Sequence, residues 1–317
     1  MIKKDGTPDA VSVVYVVGSG RSGTTLMDTI LSNHPRMYGA GELAMLSVDT
    51  CFHRFYCPCG GPVDKCGFWT NVIQEWFQRT GLRDLSEHAA IRQRFEGPRL
   101  YGLPSLLREK LFRSHEFTEY TRQTTELYRA VRQVSGREII VDSSAIPMRA
   151  LALSMMPEID LRLIHLVRDG RGVAWSLKKG LQVDAKGGVG TAEHPRPVWR
   201  SALTWIAYNM TSSWVCRQVP RGRAYFCRYE DLSTNSEAVL RGIAEFLDCD
   251  FEEIIQRINS GGALKVGCTF GGNRMRMSGE VRLRLDTDWM QKLTPQEQRT
   301  LSRMCGWLMR QYGYQLQ

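Results

Sequence analysis

Seven mostly apolar residues, Val11 to Val17, run directly into Gly18-Ser-Gly-Arg-Ser-Gly-Thr-Thr25, and apolar residues at helical spacing follow from Thr24 to Asn33. A strand, a tight glycine turn and a helix in that order offer several backbone N–H groups and a helix N-terminus to an anion. The Gly18-x-x-x-x-Gly23 spacing is that of a phosphate-binding P-loop. A nucleoside triphosphatase carries lysine next, because its ammonium bridges the β- and γ-phosphates. Here that residue is Thr24, and an arginine, Arg21, lies inside the turn. A buried strand ending in an anion cradle is therefore expected, but not a triphosphatase site.

The remaining segments extend the same architecture. Glu138 to Asp142, Leu161 to Val167 and Ala224 to Tyr229 read as further buried strands. Helical patterns cover about Met148–Met156, Gly172–Lys179, Trp199–Val219, Ser233–Leu247 and Pro295–Tyr312. Strands alternating with helices predict an α/β fold, a parallel β-sheet flanked by helices. The 317 residues can form one such domain, 1–317. About 69–135 has no clear strand and reads as a charged helical insertion on the substrate side. Gly180 to Pro197, containing Lys186-Gly-Gly-Val-Gly190, predicts a mobile loop. Ligands of open α/β sheets sit beyond the carboxyl ends of the strands. The glycine turn, Asp142, Arg168 and Tyr229-Glu-Asp231 all fall there, which points to one shared site.

Three more motifs accompany the turn. Arg168-Asp-Gly-Arg-Gly-Val-Ala-Trp-Ser176 places an arginine at a strand end and a serine eight residues later on the next helix. An arginine fork and a helix hydroxyl together suit a phosphate; alone, this stretch reads better as a helix-leading turn with a surface ion pair, but in series with the glycine turn it does not. Arg228-Tyr-Glu-Asp-Leu232 follows the last long strand, where Tyr229 could also simply end that strand in the core. Gly271-Gly-Asn-Arg-Met-Arg276 is a glycine-flexible loop rich in arginine.

With these motifs the chain resembles the sulfotransferase superfamily over about 11–45, 138–180 and 224–290. Its motifs are closest to the tyrosylprotein and carbohydrate sulfotransferases and their bacterial relatives. The resemblance implies a P-loop NTPase-like sulfotransferase fold and, as donor, 3′-phosphoadenosine 5′-phosphosulfate (PAPS), with 3′-phosphoadenosine 5′-phosphate (PAP) as product. It implies that Arg21, Ser22, Gly23, Thr24 and Thr25 hold the 5′-phosphosulfate, and that Arg168 and Ser176 hold the 3′-phosphate. Tyr229 is then expected near the adenosine, and Asn273, Arg274 and Arg276 complete the 3′-phosphate and adenine contacts. One departure is evident: where the tyrosylprotein branch has a further arginine a helical turn after the serine, this chain has Gly180, preceded by Lys178 and Lys179.

Sulfuryl transfer needs in-line geometry, charge stabilisation at the leaving oxygen and a base for the attacking hydroxyl. Arg21 and the helix N-terminus are expected to stabilise the leaving phosphate. Glu42, in Gly39-Ala-Gly-Glu-Leu43, lies where the related enzymes carry a glutamate and is the expected base. His34 competes for that role but sits at a helix end and suits a cap. His165 falls inside a strand. Asp142 could order the base, bind the acceptor or form a turn.

An excess of 42 Lys+Arg over 33 Asp+Glu gives a net charge of +9, which attracts anions without identifying them. The arginines are dispersed rather than grouped with aromatics on one element, so a nucleic-acid partner is not expected. No segment reaches the ~20 apolar residues of a membrane span, and a complete chain beginning this way is expected in the cytoplasm. Cys51, Cys57, Cys59 and Cys66 lie close in sequence, but their spacing departs from paired zinc knuckles. A disulfide or free thiols are the expectation; no metal ligand is assigned and no metal is required for transfer. The expected partner is a hydroxyl acceptor, a carbohydrate or small metabolite, and a homodimer is compatible with the sequence. The competing readings are a P-loop kinase, which Thr24 argues against, and a nucleotide-binding regulatory protein.

Overall fold

The computed structural model describes residues 10–48, 52, 55–97, 102–180, 182–184, 186–189 and 194–316. Five parallel strands form the central sheet: β1 (Val11–Val17), β2 (Met37–Gly39), β3 (Ile139–Asp142), β4 (Ile159–Val167) and β5 (Ala224–Arg228). Their order is β2-β3-β1-β4-β5. Val13 of β1 lies opposite Ile140 of β3 and Leu161 of β4, so β1 is flanked on both sides. Its side chains alternate between two cores. Val11, Val13, Tyr15 and Val17 enter one, and Val14 and Val16 enter the other. Burial of both faces is why the strand reads as a nearly continuous apolar run.

The chain leaves β1 through α1 (Thr24–Ser32) toward β2 on one side, and later returns past β1 to β4 on the other. The winding direction thus reverses at β1. In doubly wound sheets such a switch point opens a crevice at the strand ends, and the glycine turn occupies it.

The insertion consists of helices Gly67–Thr80, Leu85–Glu96, Leu103–Leu111 and His115–Ser135. Trp69, Trp76, Phe117, Tyr120 and Tyr128 from these helices share a core with β1. A charged network crosses the same boundary. The Arg149 guanidinium, fully buried, donates to Glu96 at 2.5 Å, to Asp142 at 3.1 Å and to the Tyr128 hydroxyl at 3.1 Å. Asp142 also accepts from the Tyr128 hydroxyl at 2.6 Å. Asp142 is therefore a fully buried structural carboxylate, and the acceptor-binding role left open for it does not stand.

Helices Gly170–Lys178, Val198–Cys216 and Pro295–Gln311 pack together around Trp205 and Leu301 in a third core. β2, with three residues, and the two-residue pair β6 (Leu264–Lys265) and β7 (Glu280–Val281) are too short for a periodic signal. Tyr229-Glu-Asp231, expected at the carboxyl end of a strand, opens the short helix Tyr229–Thr234 directly after β5. Among the described residues no helix is long and apolar enough to cross a membrane.

Candidate active site

A cavity of about 1390 Å³ lies at the carboxyl ends of β1, β3, β4 and β5. Its floor is the glycine turn. A Cβ on Gly18 would lie 2.3 Å from the Leu166 carbonyl oxygen, so only glycine lets the turn leave β1 against β4. Gly23 has φ 95° and caps α1 without a side-chain hydrogen bond. The helix N-terminus consequently opens on the cavity with its positive dipole end. Arg21 adopts φ 68°, a left-handed conformation that costs a non-glycine residue roughly 1–2 kcal/mol and is characteristic of functional turns.

Arg21, Gly23, Thr24 and Thr25 line the cavity. Ser22 does not: its hydroxyl is buried without a hydrogen-bond partner, and its N–H donates to the Ser19 carbonyl at 3.3 Å. Thr25 contributes to a second closure. Its hydroxyl oxygen accepts from the Asn273 N–H at 2.9 Å, which fastens the Gly271–Arg276 loop over α1. Gly272, at φ 88°, makes that approach possible, since a Cβ there would sit 2.9 Å from the Thr25 hydroxyl.

Arg168 is buried at the end of β4 and reaches the cavity. Its guanidinium donates to Asp286 at 2.9 Å and to the Arg21 carbonyl at 3.2 Å, and lies 4.6 Å from the centre of the Tyr229 ring. The following residues form the expected ion pair, though a buried one. Asp169 caps the helix Gly170–Lys178 and pairs with Arg171 at 2.7 Å. One short motif thus anchors a helix and presents a cation and, at Ser176, a hydroxyl to the cavity. Tyr229 both packs in the core and lines the cavity, and its hydroxyl donates to the Arg284 carbonyl at 3.2 Å.

Asn273 and Arg274 line the cavity, but Arg276 does not. It is fully buried on the other side of its loop, where it donates to the Tyr56 carbonyl at 3.0 Å. Arg282 and Arg284 line the cavity and were missed in the sequence. The signal is the alternation Val281-Arg-Leu-Arg-Leu285: Leu283 and Leu285 face the core, leaving the arginines on the opposite side. Lys178 and Lys179 are engaged elsewhere, Lys178 with Glu297 at 2.6 Å and Lys179 over the Trp175 ring at 5.0 Å.

Glu42 is half-buried in the wall. Its backbone N–H donates to the Phe270 carbonyl at 2.7 Å, and a Cβ on Gly271 would lie 3.2 Å from its carboxylate. Burial raises its pKa from the ordinary glutamate value to about 7, against the opposing pull of Arg21 and Arg276 and a hydrogen bond from the Gly272 N–H. The supporting residue is Asp28 of α1, also missed in the sequence. It accepts from the Gly41 N–H at 3.1 Å and lies 3.4 Å from the Thr269 hydroxyl, so it holds the glutamate's loop. Burial pushes Asp28 up to about 7 as well.

The competing histidines lie outside the cavity lining. His34 accepts from the Arg36 N–H at 3.2 Å and packs on Phe251. His165 is buried against Asn209, and burial lowers its pKa to about 4. Met45, Phe55, Ile146, Trp199 and Leu203 add apolar surface to the cavity lining.

The arrangement presents backbone N–H groups, an arginine-rich face and a near-neutral carboxyl to one chamber. It can bind an anionic molecule and remove a proton beside it.

Residues 12–313 match the family model of the sulfotransferase domain. The chain is similar to the sulfotransferase domain of the olefin synthase of Synechococcus PCC 7002, at 21% identity and a TM-score of 0.49, over 98% of this chain and 97% of that one. It is also similar to the sulfotransferase domain from the curacin biosynthetic pathway, at 17% identity and a TM-score of 0.50, over 97% and 99% of the two chains. A sulfotransferase from Mycobacterium avium shares 12% identity at a TM-score of 0.46, over 98% and 79%. Among the curated proteins no match was found.

Proposed function

This chain belongs to the sulfotransferase family, and we propose that it transfers a sulfuryl group from PAPS to a hydroxyl acceptor, with Glu42 as base. The observation that carries this reading is a single chamber holding a lysine-free glycine turn, a second cationic pole around Arg168, and a carboxyl with a pKa of about 7. Two cationic poles suit a donor with a 3′-phosphate and a 5′-phosphosulfate, and they distinguish it from ATP.

In this reading the glycine turn and the N-terminus of α1 bind the 5′-phosphate, while Arg168, Ser176 and Arg284 bind the 3′-phosphate. Tyr229 and Arg274 border the adenosine. The donor supplies the sulfuryl group: the acceptor oxygen bonds to sulfur as the S–O bond to the 5′-phosphate breaks. Arg21 and the helix N-terminus stabilise the charge on that leaving oxygen. Glu42 takes the acceptor proton, and its partial burial brings its pKa near the pH at which a base is most effective. The apolar lining suits an acceptor that carries a hydrophobic surface beside its hydroxyl, such as a small metabolite or the apolar face of a sugar. The transfer step in this reading uses neither nucleic acid nor a metal.

The test separates binding from chemistry. With labelled PAPS and a panel of hydroxyl acceptors, Arg168→Ala should weaken PAP binding by about tenfold to a hundredfold, the value of a charged hydrogen bond. Glu42→Gln should bind PAP as the parent does and lose about 10²–10⁴-fold in turnover. Normal turnover by Glu42→Gln would place the base elsewhere.

A further inference from the structure

Four cysteine sulfurs converge beside the active-site wall. The Sγ atoms of Cys57, Cys59, Cys66 and Cys268 all lie within 4.8 Å of one another, and those of Cys59 and Cys66 are 3.5 Å apart. Each of the four is a free thiol. Tetrahedral zinc with Zn–S bonds of about 2.3 Å holds its sulfurs roughly 3.8 Å apart. The cluster is already close to that spacing.

The surrounding structure also fits a bound cation. Cys57 and Cys59 sit on a tight turn in which Tyr56 pairs with Pro62 and the Cys57 N–H donates to the Gly61 carbonyl at 2.8 Å. The Cys59 N–H is directed at the Cys57 sulfur, and the Trp69 N–H at the Cys66 sulfur. Such N–H···S contacts stabilise thiolates in the shell around a metal. Cys66 caps the N-terminus of the helix Gly67–Thr80, whose dipole favours a thiolate there. Arg276 lies within electrostatic reach of Cys57 and supplies a buried counter-cation. Phe68 packs against Tyr38, and Trp69 against Phe270, around the cluster.

We infer that Cys57, Cys59, Cys66 and Cys268 bind one structural zinc ion. The sequence spacing argued against zinc because Cys51, Cys57, Cys59 and Cys66 do not form paired knuckles. Cys51 lies outside the described residues, and the fourth sulfur comes from the far end of the chain. The consequence is mechanical. Cys268 is two residues before Phe270, whose N–H donates to Ala40 and whose carbonyl accepts from Glu42. Zinc would therefore pin the cysteine turn to the segment that positions Glu42 and leads into the Gly271–Arg276 loop. The ion has four protein ligands and no open position, so it takes no part in the transfer.

The test uses the full chain, purified without chelator or added metal, and reads metal rather than activity. Elemental analysis should find one zinc per chain, released when the thiols are blocked with an organomercurial. Replacement by cobalt should produce the thiolate charge-transfer and d–d bands of a tetrahedral site. Cys268→Ser should lose the zinc and melt at a lower temperature, whereas Cys216→Ser, a thiol outside the cluster, should keep the metal. Should Cys268→Ser fail to fold, the parent's zinc content and cobalt spectrum decide the matter. A reduced parent that neither contains nor takes up zinc, disulfides among these cysteines in the native protein, or full zinc retention by Cys268→Ser would overturn the assignment.

Discussion

Glu42 shows how much one side chain owes to its surroundings. A glutamate in water is fully ionised at neutral pH, whereas here burial holds the carboxyl at about 7, with Arg21 and Arg276 limiting the rise. A base works in its ionised form, so lowering the pH through 7 removes it. In the free enzyme kcat/KM should fall about tenfold per pH unit below about 7. The measurement is a pH–rate profile of the parent beside Glu42→Gln, whose residual rate should lack that limb. A parent profile flat from pH 5.5 to 8 would exclude a base titrating near 7. The position of Glu42 was readable from Gly39-Ala-Gly-Glu-Leu43, but its support was not. Asp28 looks like any polar residue on α1, and only the fold brings it to the Gly41 N–H.

At the scale of elements, the glycine turn works because two other segments press against it. Gly23 sits at φ 95°, and a Cβ there would come within 2.6 Å of the Tyr229 ring. Gly23→Ala should cost about 1–3 kcal/mol of stability and weaken PAP binding by at least about tenfold, since the N–H groups of α1 would shift. Thermal melts and calorimetry on the variant check both, and parental values for both would contradict this packing. The long strands β1 and β4 and the helix after the turn were legible because burial on both sides, or on one helical face, imposes a period on the sequence. β2 was not, because three residues carry no period. Arg276 was misplaced for a related reason: within the glycine-flexible loop, Arg274–Ser278 winds into a 3₁₀ turn, and Arg276 is buried rather than facing the cavity. Arg282 and Arg284 show the reverse case, where a short alternation carried information that went unread.

For the whole molecule, the sheet and the helical insertion share one core and one buried ionic network. Arg149 bridges Glu96 of the insertion and Asp142 of β3, all three at 0% side-chain exposure. Arg149→Met would leave Asp142 without its counter-cation in a dry environment, and Arg92 alone would pair with Glu96. A loss of about 3–5 kcal/mol is expected, which lowers Tm by about 5–8 °C for a chain of this size. A melt within about 2 °C of the parent would show that the network contributes little. The insertion's helical nature was legible in its lack of strand pattern, yet its attachment was not. Glu96, Tyr128 and Arg149 have no mutual spacing in the chain, and only the packing of three helices, Leu85–Glu96, His115–Ser135 and Pro147–Leu153, beside β3 brings them together.

The central claim is that the chamber is built for a nucleotide with separate 3′- and 5′-anionic groups. Isothermal titration of the free protein with PAP and, separately, with ATP tests it most directly. The account predicts that PAP binds at least about a hundredfold more tightly, a difference of roughly 2.7 kcal/mol. Equal affinity, or tighter binding of ATP, would contradict it.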